Sequence, residues 1–234
     1  MNAYVDPATG THHNKLGITD RGQLAKVEYA ITDLRIAELK LRPIEGAFDL
    51  DHLRKVHQHI FQDLYGWAGK ERTINFSKRD PAQPGWKSVF ARHEQIPLIA
   101  ESIATDLKES NYLKGLDQPA FAQKLSLAYV KLNYMHPFPE GNGRSTQTFL
   151  SQLASGAGYR LDFDKVSPSD WNKAAARSMP QVNLHEPALK RPEDPSFIHR
   201  VFRQLASPYR TPEIDRANAP VTTPPRGKDP GVGR

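Results

Sequence analysis

Cysteine is absent from the 234-residue chain. That excludes disulfide scaffolding, thiolate metal sites and cysteine nucleophiles, and it fits a reducing compartment. No apolar run approaches the roughly 18 to 20 residues that a membrane span needs. Met1 to Lys15 is polar and lacks the apolar core of a secretory signal. The expectation is a cytoplasmic protein with no membrane contact. No internal repeat is present. The net charge of +6 suits an anionic ligand. Yet the lysines and arginines are scattered, with no basic helix face or aromatic-interleaved ribbon, so direct nucleic-acid binding is not expected. Most of the charge reads as solvated surface.

What the chain does have is helical periodicity almost throughout. Thr19 to Leu41 carries Leu24, Val27, Ala30, Ile31, Leu34 and Leu39 at three- and four-residue spacings, opening at Thr19 or Asp20. Asp49 or Asp51 opens a second helix through Leu53, Val56, Ile60, Phe61 and Leu64, ended by Gly66 and Gly69. A third runs from about Glu94 to Leu107. Asp117 and Pro119 start a fourth, which stops near His136 because a residue before proline disfavours helical geometry. A fifth begins around Asn142 to Ser145 and closes at Gly156 or Gly158. Ser167-Pro168 opens a sixth and Asp194-Pro195 a seventh.

One segment breaks the period. Lys70 to Val89 holds the short alternating run Thr73-Ile74-Asn75-Phe76, then Asp80-Pro81 and Pro84-Gly85, and reads as a β-hairpin or extended flap. The fold class predicted is all-α, about seven helices with a short hairpin. Residues 1–18 form an N-terminal extension, 19–206 the domain, and 207–234 a basic tail expected to be disordered.

Between the fourth and fifth helices stands His136-Pro137-Phe138-Pro139-Glu140-Gly141-Asn142-Gly143-Arg144. Amides around Gly141, Asn142 and Gly143 at a helix start can cradle phosphate, and glycine lets the backbone approach it. Arg144 is poorly placed against the helix dipole unless an anion binds there too. Glu140 offers the hard oxygen that Mg²⁺ prefers when shared with phosphates. His136 is the one group in the loop able to take a proton near neutral pH. Phe138 would peg the loop to the core. Taken singly, a histidine at a helix end is more often a cap, and Gly-Asn-Gly is more often a turn.

The stretch resembles the signature of Fic-domain proteins (the Fic/DOC superfamily), His-x-Phe-x-(Asp/Glu)-Gly-Asn-Gly-Arg-x-x-Arg. Asn14-Lys15-Leu16-Gly17-Ile18, the run from His57 to Gly69, and Arg72-Thr73-Ile74-Asn75-Phe76-Ser77 are similar to stand-alone bacterial Fic toxins of the toxin–antitoxin class. The resemblance implies a Fic fold over roughly residues 14–206. It also implies transfer of AMP from ATP, with Mg²⁺, to a hydroxyl of a target protein. His136 would be the general base and Glu140 would hold Mg²⁺. Phe138, Gly141, Asn142, Gly143, Arg144 and Gln147 would form the nucleotide side. Thr73, Ile74, Asn75, Phe76 and Ser77 would pair with an extended target segment. Type II topoisomerase B subunits are the targets the resemblance suggests.

Two departures qualify the match. The signature's last arginine, which in the family reaches the γ-phosphate, falls here on Gln147. Losing a charge-assisted hydrogen bond weakens the contact from roughly 1.5–3 kcal/mol to about 1 kcal/mol. A catalytically weakened Fic fold acting as a binding partner therefore stays open, as does a donor giving UMP or phosphate. Second, the family's inhibitory pattern (Ser/Thr)-x-x-x-Glu-(Gly/Asn) has no match: Thr105 to Glu109 comes nearest, but Ser110 follows. An inhibitor would then be a small antitoxin supplied in trans.

Other candidates rank lower. His12-His13 and His57-x-His59 have no carboxylate framework for a metal, and His57 on an apolar helix face reads as a packed core residue. Trp67, Trp86 and Trp171 read as core or flap anchors. Arg226-Gly227-Lys228 would be the signal if the protein is translocated into another cell; plain polar tail is the simpler reading.

Overall fold

The computed structural model describes residues 3–80 and 83–209. Within them the predicted helices are found as α1 (Arg21–Leu41), α2 (Leu50–Phe61), α3 (Ile96–Glu109), α4 (Gln118–Met135), α5 (Asn142–Gly156), α6 (Pro168–Arg177) and α7 (Ser196–Leu205). Four start where the sequence places a cap. The Asp20, Asp49 and Asp117 carboxylates and the Ser167 hydroxyl accept first-turn amides, each satisfying a donor the helix cannot. The second helix ends sooner than its period suggests. Leu64 and Tyr65 remain buried, but in the turns after Phe61.

Helices α3, α4, α5 and α7 surround the main core, where Phe121, Leu125, Leu132, Phe149, Leu153, Ile198 and Phe202 are buried. A second cluster of Leu39, Val56, Ile60, Phe61, Leu64 and Tyr65 joins α1 to α2. Together they hold the α4–α5 connection between two packed bodies. No described helix is long and apolar enough to cross a membrane.

The hairpin is displaced from where the alternation puts it. Residues 73–76 form an irregular segment, and the strands are β1 (Ser77–Arg79) and β2 (Trp86–Val89), paired antiparallel with Lys78 opposite Ser88. Local bonding explains the shift. The Thr73 amide donates to the Tyr4 hydroxyl, and the Asn75 side chain accepts from the His93 amide, so this stretch is held by side chains rather than by a partner strand. Two strands not foreseen, β4 (Gln181–Asn183) and β5 (Lys190–Arg191), extend the hairpin to a four-stranded antiparallel sheet, order β1-β2-β4-β5. A separate pair, β3 (Tyr159–Leu161) and β6 (Ala206–Pro208), closes the far end. The sequence places a disordered tail from residue 207; its first residues belong to β6, and 210–234 lie outside the described residues.

Candidate active site

His136 ends α4 in the left-handed conformation, φ 42° and ψ 62°, uncommon for a residue with a side chain. Pro137 removes the helical option and the left-handed cap turns the chain sharply. The turn is locked from behind by Arg72, only 2% exposed. Its guanidinium donates to the carbonyls of His136 (2.8 Å), Met135 (3.3 Å), Ala91 (2.5 Å) and Ile74 (2.7 Å), while its amide donates to the Pro137 carbonyl at 2.8 Å. One buried cation thus ties the turn that carries His136 to the flap segment.

The imidazole of His136 stacks on Phe90 at 3.8 Å and meets Phe76 edge-on at 5.7 Å. Its Nδ1 lies 3.3 Å from the Asn133 carbonyl. A carbonyl only accepts, so Nδ1 carries the hydrogen and Nε2 is left as the basic nitrogen. Burial, then the Lys78 charge, push its pKa down to about 3. The ring is half-buried and borders two hollows. One, about 400 Å³, is shared with Glu140, Asn142, Gly143, Thr146, Lys78 and Trp171. The other, about 100 Å³, lies toward β1 and β2.

The loop after His136 is braced by its own residues. Phe138 is fully buried and stacks on His57 at 3.8 Å, pegging the loop to the core. Asn142 braces the same turn. Its Oδ1 accepts from the Phe138 amide at 2.9 Å and its Nδ2 donates one hydrogen to the Phe138 carbonyl at 2.7 Å. Gly141 caps α5 at φ 80°, and a Cβ there would fall 3.0 Å or less from three atoms of the Phe61 ring. At Gly143 an added Cβ would meet nothing within 4 Å. Helical bonding supplies no acceptor for the first α5 amides. The Gly141 amide already donates to Glu140 Oε1 at 2.9 Å.

Arg144 and Gln147 point elsewhere. Both line a separate hollow of about 490 Å³ between α1 and α5, together with Lys40, Ser151 and Arg160. Arg144 pairs with Glu28, donates to the Thr32 hydroxyl at 3.0 Å, and lies 4.8 Å over the Phe61 ring. Its other carboxylate neighbour is Glu140, at 3.7 Å. Arg144 and Gln147 thus line a hollow other than the one His136 borders, while Glu140 links the two through its contact with Arg144. Glu28 was missed, and an interior glutamate on a long solvent-facing helix carries no signal that would reveal it. Asn133 had one, its place three residues before His136.

Among the described residues no group of three or more His, Asp or Glu side chains could hold a metal ion by itself. His57 and His59 serve otherwise: His57 is buried, its pKa pushed down to about 4 by burial, and His59 bonds Glu38 at 3.0 Å. A single carboxylate beside vacant amides is still the donor set expected for Mg²⁺ shared with a polyphosphate.

Fold and site together define a helical scaffold that sets a histidine, with its Nε2 uncommitted, in one cavity with the start of a helix. The model of the Fic/DOC family matches residues 47–154. The chain is 32% identical over 171 residues to the Escherichia coli K12 protein named "Probable protein adenylyltransferase Fic", covering 73% of this chain and 81% of that one. It is 41% identical over 175 residues to the protein adenylyltransferase VbhT of Bartonella schoenbuchensis, 75% of this chain but only 35% of VbhT. The crystal structure of the N-terminal Fic domain of a VirB-translocated effector from Bartonella quintana, with bound ADP, superposes with a TM-score of 0.75 at 26% identity, covering 88% and 94% of the two chains. The chain belongs to the Fic/DOC family.

Proposed function

We propose that the chain transfers AMP from ATP to a hydroxyl on a target protein. The observation that carries this reading is His136: its Nδ1 hydrogen is committed to the Asn133 carbonyl, and it borders the cavity that the open α5 helix start also lines. The relatives' names as adenylyltransferases and the ADP in a superposable Fic domain support it.

His136 Nε2 takes the proton of the target hydroxyl. The hydroxyl oxygen bonds to the α-phosphorus as the bond to the bridging oxygen breaks, and pyrophosphate leaves. The backbone amides at the α5 start hold the phosphates, and Gly143 leaves room for close approach. Glu140, half-exposed at the cavity, would hold Mg²⁺, which when bound neutralises charge on the phosphates. Its Oε1 accepts from the Gly141 amide, so Oε2 is the oxygen that would serve the ion. Lys78 brings a further positive charge to the cavity wall. The β1 strand is an edge of its sheet and exposed throughout, so an extended target segment can add to it.

Incubation with labelled ATP and a type II topoisomerase B subunit, the target inferred from resemblance to Fic toxins, is the first test. His136→Ala is expected to lower labelling about 10²- to 10⁴-fold. Label that persists in this variant sinks the base assignment. Gln147 favours a second reading, a weakened Fic fold that acts by binding or gives another group. Mass spectrometry of the modified target separates AMP, UMP and phosphate.

A further inference from the structure

His57 is completely buried on α2, sandwiched between Phe138 at 3.8 Å and Phe61 at 4.6 Å. Both ring nitrogens are engaged. Nδ1 accepts the Gly69 backbone N–H at 2.9 Å, and Nε2 lies 3.0 Å from the Glu140 carbonyl oxygen. A backbone amide only donates and a carbonyl only accepts, so one tautomer satisfies both partners: neutral, with hydrogen on Nε2 and the lone pair on Nδ1. Any other state sets hydrogen against hydrogen or lone pair against lone pair at a fully buried ring.

The place of this contact gives it a function beyond packing. The Glu140 carbonyl lies one peptide before Gly141, whose positive φ turns the chain into α5. Its direction sets both the Glu140 side chain and the amides at the start of α5. Gly69, on the other nitrogen, stands at the root of the segment that runs through Arg72 into the flap. We propose that His57 is a positioning residue: its Nε2–H, oriented by the Gly69 amide, carries the Glu140 carbonyl and fixes the loop that presents Glu140 and the α5 amides to the cavity. What the loop is positioned to do rests on the transfer reading above; the strut itself does not.

Two substitutions divide the ring's two bonds. His57→Gln places an amide N–H near the former Nε2 and keeps the bond to Glu140. His57→Asn places its amide near the former Nδ1, keeps the Gly69 contact and loses Glu140. With melting temperatures matched, Gln is expected within about fivefold of the parent kcat. Asn is expected to lose about 10- to 100-fold, with the protein-target KM little changed, the size of one lost buried hydrogen bond. Amide exchange over residues 138–143 should quicken in the Asn variant and not in Gln. That readout decides the strut even if the parent transfers no AMP, an outcome that would count against the transfer reading alone. Equal kcat and equal exchange in the two variants would overturn the proposal. If neither variant folds, long-range proton–nitrogen spectra of the parent decide: a neutral Nε2–H ring supports it, and an Nδ1–H or doubly protonated ring overturns it.

Discussion

On one face of the first turn of α5, His136, Gly143 and Thr146 border an open cavity. On the other, Gly141 is pressed against Phe61 and Arg144 is already bound to Glu28 and Thr32. Nine neighbouring residues of one loop are thus divided between a face that opens on the His136 cavity and a face whose residues are engaged by α1 and α2. The contrast is clearest for the two glycines. Gly141 is needed because its backbone is left-handed and its missing side chain is replaced by an aromatic ring. Gly143 has ordinary backbone and empty space before it, so its smallness serves whatever approaches from the cavity.

Alanine at each position breaks or sharpens that division, and the first has the largest effect expected. Gly141→Ala combines left-handed strain of about 1–2 kcal/mol with overpacking of about 1–3 kcal/mol. Urea unfolding should show a loss of roughly 2–5 kcal/mol. Gly143→Ala should stay within about 1 kcal/mol of the parent, and can gain because alanine favours helix. Its nucleotide affinity, measured by calorimetry, should still fall about tenfold. Similar unfolding losses in both variants would remove the distinction.

The sequence made the scaffold and the open face readable, because their signals are local. Asp20, Asp49, Asp117 and Ser167 cap the helices they precede, and Pro137 stops α4 at its neighbour. What was unreadable depends on distance. The Glu28–Arg144 pair joins residues 116 apart, and nothing near Glu28 marks it. The β4 strand, Gln181–Asn183, is too short to show alternation and exists because β2 offers an edge. The resemblance assigns Asn142 to the phosphates from its position in the motif. Its amide also bonds both backbone groups of Phe138, a bracing that only the folded turn reveals.

The engaged face predicts the next effect. Glu28 receives Arg144 on one oxygen and the Tyr65 hydroxyl on the other, with its side chain 13% exposed. Glu28→Gln keeps the shape and removes the charge. A loss of about 1–2 kcal/mol in thermal or urea unfolding is expected, below that of a fully buried pair because Arg144 is partly open to solvent. Transfer that still depends on His136 would show that the two faces act separately. A collapse of kcat at unchanged stability would show that they do not.

The open face predicts a pH profile. The His136 pKa is held at about 3, below the free value near 6.5, by burial and the Lys78 and Arg72 charges. The base therefore stays neutral in the folded protein well below pH 6, and kcat/KM should be flat from pH 8 to about 5. Stability runs the other way. Above pH 6.5 neither state binds this proton. Below it the unfolded chain takes the proton first, so stability falls as pH drops toward 3. An acid limb in kcat/KM centred near 6.5 would place His136 in a far wetter setting than the cavity wall.

Gln147 gives the smallest effect and the finest test. It lines the same hollow as Arg144, whose guanidinium is held by Glu28, so an arginine introduced there would share that side of α5 with the Glu28–Arg144 pair. Gln147→Arg alone should tighten ATP by no more than about threefold, since the carboxylate and the nucleotide compete for the same guanidinium. With Glu28→Gln that competitor is gone, and the gain from the arginine should rise toward the roughly tenfold worth of a charge-assisted hydrogen bond. The two substitutions would then be non-additive, as expected for residues that share a partner. Calorimetry on the four proteins of this cycle measures the coupling directly. Strict additivity would mean that Glu28 guards Arg144 alone, and that the charge missing at position 147 is felt by the nucleotide without an intermediary.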